Sequence, residues 1–175
     1  QAQATVDPIV VEHDKLLKAV DKLGATLGKL VEKGKLGAAD REQTLARIRP
    51  AATLDDCARA DLVVEAIVEN EGVKAELFRK LDAMLAPTAI LASNTSSISI
   101  TKLAATTKRP DRFIGMHWMN PPPVMALIEL IRGLQTSDAT YEAVAGLSRK
   151  FGKTVVTSKD SPGFIVNRIL IPLLN

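Results

Sequence analysis

The sequence is poor in cysteine and in aromatic residues. Among its 175 residues there is one cysteine, Cys57, and aromatic residues make up 3%. A single cysteine can form neither an internal disulfide nor a cluster of thiolate metal ligands, and it favours a reducing compartment, the cytoplasm or an organelle matrix. The few aromatic side chains and a net charge of +3 indicate neither a base-stacking surface nor a strong field for phosphates. We therefore expect no nucleic acid partner and no metal site.

Long hydrophobic runs are also lacking, although 46% of the residues are hydrophobic. No run reaches the roughly 20 residues that a helix needs to cross a bilayer. The first residues, Gln1 to Thr5, lack the basic flank and apolar core of a signal peptide. We expect no membrane partner and a chain long enough to bury one well-packed core.

The apolar residues follow two periodicities. Steps of three and four residues predict helices at 14–33, 39–48, 71–85, 100–106 and 137–151, with a last helix opening at Pro162. Short β-branched or apolar runs predict strands at 61–68, 89–92, 112–116, 124–131 and 154–157. The run 61–68 is typical of a strand buried on both faces, and Val73, Leu77, Leu81 and Met84 are expected to face the core.

Helices and strands alternate along the chain, which predicts an α/β fold with a mostly parallel sheet. Ligands of such sheets bind beyond the carboxyl ends of the strands. Glu69, Ser96 and His117 lie at or just past the ends of three different predicted strands. We therefore expect these three residues to share a site.

The sequence also lacks the Gly-x-Gly-x-x-Gly turn that binds the pyrophosphate of a dinucleotide after a first strand. The run Ile9-Val10-Val11-Glu12 fits a later strand of such a unit, with Glu12 as the carboxylate that accepts ribose hydroxyls and would repel a 2′-phosphate. An ordinary solvated glutamate in front of a helix is the alternative.

His117 and Glu129 form a candidate acid/base pair. Histidine titrates nearest neutrality, and a carboxylate on one ring nitrogen fixes the tautomer and stabilises the imidazolium. The rigid run Pro121-Pro122-Pro123 lies between the two residues and is expected either to hold them in a fixed relation or to form a plain turn. A buried histidine that only satisfies hydrogen bonds is the alternative for His117.

Four stretches together, 61–70, 92–98, 115–129 and 160–168, resemble the 3-hydroxyacyl-CoA dehydrogenases of the short-chain 3-hydroxybutyryl-CoA type. The resemblance implies a Rossmann-like, doubly wound NAD-binding domain over residues 1–160, with residues 161–175 beginning the helix that leads to a C-terminal helical domain. It also implies that the first Gly-rich βα unit and that C-terminal domain, through which the full-length protein would form a homodimer, lie outside this chain.

The resemblance further implies oxidation of a 3-hydroxyacyl-CoA, such as 3-hydroxybutyryl-CoA, in fatty acid or butanoate metabolism. His117 would be the base, oriented by Glu129, and Ser96 and Asn167 would hold the reacting part of the substrate. The implied NAD contacts are Glu12, Glu69, Lys74, Ser96 and Asn120. Thr26 and Lys33 would meet coenzyme A. From the residues alone, Ser96 could instead cap the helix that begins near Ile98, and Lys33 could be a solvated lysine at a helix end.

Two alternatives to this activity remain. The chain could be a non-catalytic relative of the same fold, as a lens crystallin is, or a domain of a multifunctional β-oxidation enzyme. Because the Gly-rich turn is lacking, we expect the chain by itself to bind NAD weakly and to turn over little substrate. Micromolar affinity in a calorimetric titration with NADH would contradict this expectation.

Overall fold

The structure, a computed structural model, describes residues 13–174 of the chain. The predicted strand at 9–11 and Glu12 lie outside the described residues. The chain divides into two compact units, Gln1–Arg59 and Ala60–Asn175. Within the described part, none of the helices combines the length and the apolar composition that a membrane span requires.

The first unit is helical where it is described. It contains α1 (His13–Glu32), α2 (Ala38–Ala46) and a short 3₁₀ turn at Leu54–Cys57. The helix α1 ends close to the predicted bound at residue 33. Gly34 adopts a left-handed conformation with φ of 65°, and Lys35 N–H donates back to the Leu30 carbonyl at 2.9 Å. This is the hydrogen bond that closes a helix on a glycine.

The second unit is built on a five-stranded sheet. Its strands are β1 (Leu62–Glu65), β2 (Ile90–Ser93), β3 (Phe113–Trp118), β4 (Leu127–Arg132) and β5 (Thr154–Lys159). They lie side by side in chain order, and every neighbouring pair is parallel except the antiparallel pair β3 and β4. The helices of this unit are α3 (Glu71–Met84), α4 (Ile100–Ala104), α5 (Asp138–Lys150) and α6 (Val166–Leu174). The predicted α/β, Rossmann-like class is confirmed.

The core of the second unit lies along the central strands. Buried apolar side chains from β2, β3, β4 and α5 form one cluster, which consists of Ala92, Ile114, Met116, Ile128, Leu130, Val144 and Ala145. Gly115 on β3 allows close packing on the sheet, because an added Cβ would lie 2.7 Å from Ile131 Cβ and 2.9 Å from Ile100 Cδ1. Strands β2, β3 and β4 are therefore held together by one closely packed core.

Two predictions of burial are wrong. Val64 on β1 is 39% exposed, and its strand pairs within the described sheet with β2 alone. Val73 is exposed, whereas Lys74, Phe78 and Leu81 of the same helix are buried. The buried face of α3 includes Lys74 because its ammonium group pairs with the carboxylates of Glu65 and Glu69. The spacing of apolar residues could not reveal that pairing.

Candidate active site

His117 and Glu129 face each other across the antiparallel pair β3 and β4. They are directly opposite in the strand register, and His117 Nδ1 lies 2.7 Å from Glu129 Oε2. The Glu129 side chain is fully buried, and that of His117 is 10% exposed. A short contact between a buried carboxylate and one ring nitrogen sets the ring orientation and leaves Nε2 for proton exchange with a ligand.

The second oxygen of Glu129 binds the start of α6. Glu129 Oε1 accepts hydrogen bonds from Ile165 N and Val166 N, both at 2.9 Å. Phe164, with φ of 51°, turns the chain into this helix, and its ring packs edge-on against His117 with 5.8 Å between the ring centroids. One carboxylate therefore fixes both the histidine and the helix that carries Asn167.

Glu69 binds the polar loop after β2. Its Oε1 accepts hydrogen bonds from Thr95 Oγ1 at 2.5 Å, Ser96 N at 2.8 Å and Ser96 Oγ at 3.2 Å. Burial raises the pKa of the Glu69 carboxyl, but the hydrogen bonds from Thr95 and Ser96 and the charge of Lys74 outweigh it, so that this pKa lies below its ordinary 4.5. Glu69 is therefore ionised at neutral pH.

Ser96 is not the cap of the following helix. Ser99 is the N-cap of α4, and its hydroxyl accepts from Lys102 N at 3.3 Å. Thr95 Oγ1 accepts from Ile98 N at 2.9 Å. The capping alternative for Ser96 is thus wrong, because Thr95 and Ser99 accept from those amides and Ser96 itself donates to Glu69.

Asn167 reaches the same loop from α6. Its Nδ2 donates to the Ser96 carbonyl at 3.1 Å. Because Glu129 binds the start of α6 and Asn167 follows directly on that helix, hydrogen bonds and the backbone of α6 together connect four predicted site residues, which are His117, Glu129, Asn167 and Ser96. The structure brings these four together.

Lys74 is buried rather than presented to a ligand. Its side chain is 1% exposed, and Nζ lies 2.5 Å from Glu65 Oε1 and 3.4 Å from Glu69 Oε2. Glu65, a carboxylate within β1, is therefore neutralised in the interior by Lys74. Lys74 therefore contacts Glu69 from the interior of the unit.

Four other predicted contacts are not placed in this network. Asn120 is exposed in the loop between β3 and β4, next to a cis peptide bond with Pro121. Thr26 lies on α1, where Oγ1 donates to the Lys22 carbonyl at 2.8 Å, and Lys33 is exposed just after α1. Both belong to the first compact unit. Glu12 lies outside the described residues, so the roles of all four stay predictions.

Asp160 is a residue of this region to which sequence reasoning gave no role. Its carboxylate accepts from Ser99 Oγ at 2.7 Å, Ile100 N at 2.9 Å and Thr101 N at 2.8 Å, and so tethers the start of α4 to the end of β5. Burial raises the pKa of the Asp160 carboxyl, but the hydrogen bonds from Thr101, Ser99 and Ile100 hold it below its ordinary 3.8. An acid just before a Ser-Pro-Gly turn is the signal that could have found it.

Parallel strands with polar residues gathered at their carboxyl ends are typical of the dinucleotide-binding domains of dehydrogenases. The residues here fit that class, with an ionised glutamate after β1, a polar loop after β2 and a histidine near the end of β3. The chain belongs to the 3-hydroxyacyl-CoA dehydrogenase NAD binding domain family, whose sequence profile matches residues 1–161.

Similar proteins carry related names. A 3-hydroxybutyryl-CoA dehydrogenase of Bradyrhizobium diazoefficiens is 50% identical over 165 residues, which are 94% of this chain and 56% of that protein. A probable 3-hydroxybutyryl-CoA dehydrogenase of Deinococcus radiodurans is 52% identical over 170 residues, 95% of this chain and 61% of that protein. The crystal structure of (S)-3-hydroxybutyryl-CoA dehydrogenase from Ralstonia eutropha matches with a TM-score of 0.94 at 50% identity, covering 98% of this chain and 60% of the other. The chain thus spans little more than half the length of these relatives.

Proposed function

We propose that the protein is an NAD-dependent 3-hydroxyacyl-CoA dehydrogenase that acts on 3-hydroxybutyryl-CoA. The observation that carries the proposal is the buried His117–Glu129 pair at 2.7 Å, joined through α6 to Asn167 and Ser96. A pair whose carboxylate is fully buried and bonded on both oxygens has the fixed geometry that proton transfer requires. Relatives at 50% and 52% identity with dehydrogenase names support the same activity.

Glu69 offers a suitable contact for NAD. Its Oε1 is filled by donors from the loop after β2, whereas Oε2 has Lys74 at 3.4 Å and the side chain is 39% exposed. An ionised, half-exposed oxygen at the end of a parallel strand can accept a ribose hydroxyl. We assign Glu69, Ser96, Asn120 and Glu12 as cofactor contacts, Lys74 as the support of Glu69, and Thr26 and Lys33 as coenzyme A contacts.

When bound, NAD supplies the acceptor for the hydride that leaves C3 of the substrate. His117 Nε2 takes the proton of the 3-hydroxyl in the same step, so the C3–H and O–H bonds break and a carbonyl forms. Glu129 keeps the other ring nitrogen protonated and stabilises the imidazolium that results. Ser96 and Asn167 orient the oxygens of the substrate by hydrogen bonds.

The test is reduction of acetoacetyl-CoA by NADH. It is measured in the chain and in a chimera in which residues 1–175 replace the matching part of the Deinococcus radiodurans protein, because the relatives are longer than this chain. We expect the chimera to be active and His117→Ala to lower kcat by roughly 10²- to 10⁴-fold. The control, Lys80→Ala, removes an exposed lysine of α3 and should leave kcat unchanged.

An inactive, folded chimera would contradict the proposal and favour a non-catalytic relative. Full activity of the folded His117→Ala chimera would contradict the role of His117. The homodimer expected for the full-length protein and its cytoplasmic location are proposals of the same kind, resting on the family resemblance and on the single cysteine.

A further inference from the structure

A chain of alternating charges runs from the buried end of β1 to the proposed cofactor site. Glu65 is buried, and its Oε2 accepts from Ser93 Oγ at 2.6 Å while Oε1 accepts from Ile67 N at 2.7 Å. Lys74 bridges Glu65 and Glu69, at 2.5 Å and 3.4 Å. Glu69 then binds the amide and the hydroxyl of Ser96. The proposed reaction uses Ser96 and Glu69 directly but assigns nothing to Glu65.

Stability alone is a poor explanation for the buried pair of Glu65 and Lys74. Taking both charges out of water is costly, and well-packed apolar residues of similar size often serve a fold equally well or better. What an apolar pair could not do is hold Glu69. Lys74 is the cation that faces Glu69 from inside, and Glu65, which already binds β2 through Ser93, keeps Lys74 in that place.

We infer that Glu65 is a positioning residue of the proposed dehydrogenase: it holds Lys74, which holds Glu69, which fixes the backbone and hydroxyl of Ser96. Glu65 on β1 contacts Lys74 on α3. Lys74 contacts Glu69 in the segment after β1, and Glu69 contacts Ser96 in the loop after β2. A side chain with no exposed surface thereby sets the geometry of two residues that face the ligand. The link from this geometry to turnover rests on the proposed function, but the geometry itself does not.

The test is amide hydrogen exchange at Ser96 in the 175-residue chain without ligand. Its amide donates to Glu69 Oε1 at 2.8 Å, so its exchange rate reports whether Glu69 is in place. Glu65→Gln keeps the size of the side chain but removes the charge that holds Lys74. We expect the Ser96 amide to exchange about tenfold faster or more, as for a lost hydrogen bond to a charged group. The Leu91 amide, in the core strand β2, should exchange faster only by the factor that corresponds to any loss in the free energy of unfolding.

A double variant separates positioning from stability. Glu65→Gln with Lys74→Met removes both buried charges, so the melting temperature should recover at least in part relative to Glu65→Gln. Glu69 still lacks its cation in this double variant, so the Ser96 amide should continue to exchange fast. The matched control is Glu76→Gln, which breaks the exposed ion pair with Lys80 on the same helix at 2.8 Å and should change neither quantity.

The inference would be overturned if the Ser96 amide exchanged slowly in folded Glu65→Gln, or if slow exchange of this amide returned in the double variant. In the chimera, Glu65→Gln should raise the KM for NADH about tenfold and lower kcat by a smaller factor. A rise in KM and a fall in kcat by the same factor would again argue against positioning. If the chimera is inactive, the proposed function fails, whereas the exchange result still decides the inference.

Discussion

At the scale of single residues, the two carboxylate oxygens of Glu129 bind two different parts of the site. Oε2 faces His117 Nδ1, and Oε1 accepts the first amides of α6. Because the helix carries Asn167 and Asn167 binds Ser96, the orientation of the histidine and the positions of the proposed substrate contacts depend on one buried carboxylate. Substitutions at this position can separate the two tasks.

We predict that Glu129→Gln lowers kcat strongly and changes stability little. The amide oxygen can still accept from Ile165 and Val166, but its NH₂ group faces His117 Nδ1 and favours the tautomer in which Nε2 already carries a proton. The kcat for oxidation of 3-hydroxybutyryl-CoA by NAD in the chimera, the direction in which Nε2 must accept a proton, should fall by about 10²- to 10⁴-fold. Unchanged kcat in this variant would show that Glu129 does not control the ring.

Glu129→Ala is the matched comparison for stability. It leaves the two amides of α6 without their acceptor as well, so urea unfolding of the chain should show a loss of about 1 to 3 kcal/mol that Glu129→Gln does not show.

At the scale of elements, the connection between β5 and α4 depends on Asp160. This carboxylate, just after β5, accepts hydrogen bonds from the first amides of α4, which have no acceptor within the helix. Ser96 lies in the loop before α4, and Asp160 binds the end of that loop at Ser99.

We predict that Asp160→Asn destabilises the chain by about 1 kcal/mol at neutral pH, the usual worth of such a cap. The pKa of this carboxyl is lowered in the folded state, so its contribution is complete above the ordinary value of 3.8 and is lost as pH falls through the folded value. The difference in unfolding free energy between wild type and variant should hold from about pH 5 to 8 and shrink below about pH 4. A difference that grows with acidification would contradict this account.

At the scale of the whole chain, packing of the second unit depends on one glycine in the centre of its sheet. A methyl group at Gly115 would lie within 3 Å of Ile131 and Ile100, both of which are fully buried. A methyl group at Gly146, on α5, would meet no heavy atom within 4 Å. We therefore expect the substitution of glycine by alanine to change the free energy of unfolding in opposite directions at these two positions.

We predict that Gly115→Ala lowers the free energy of unfolding by about 1 to 3 kcal/mol through overpacking. Gly146→Ala should raise it by roughly 0.5 to 1 kcal/mol, because alanine favours a helix interior. Urea unfolding of both variants measures the difference directly. Equal effects at the two sites would mean that β3 and α4 adjust more easily than their contacts indicate.

Much of this architecture could be predicted from the sequence because it depends on local periodicity. Within residues 13–174, the five strands and six α-helices match predicted segments to within a few residues, and the pairing of His117 with Glu129 follows from their chemistry alone. The antiparallel direction of β4 was not predicted, although the short connection at 119–126 contained the signal: a parallel crossover needs about a dozen residues or more. The burial of Lys74 had no local signal, because its carboxylate partners come from other segments.

The sequence by itself determined which segments form helices and strands and which side chains could take part in acid/base chemistry, since both follow from residue type and spacing along the chain. Only the tertiary structure decided that Glu129 serves His117 and α6 together, that Asn167 meets Ser96, and that Glu65 reaches Ser96 through Lys74 and Glu69. Those contacts join residues distant in sequence. They depend on strand order, register and burial, which local propensity does not specify.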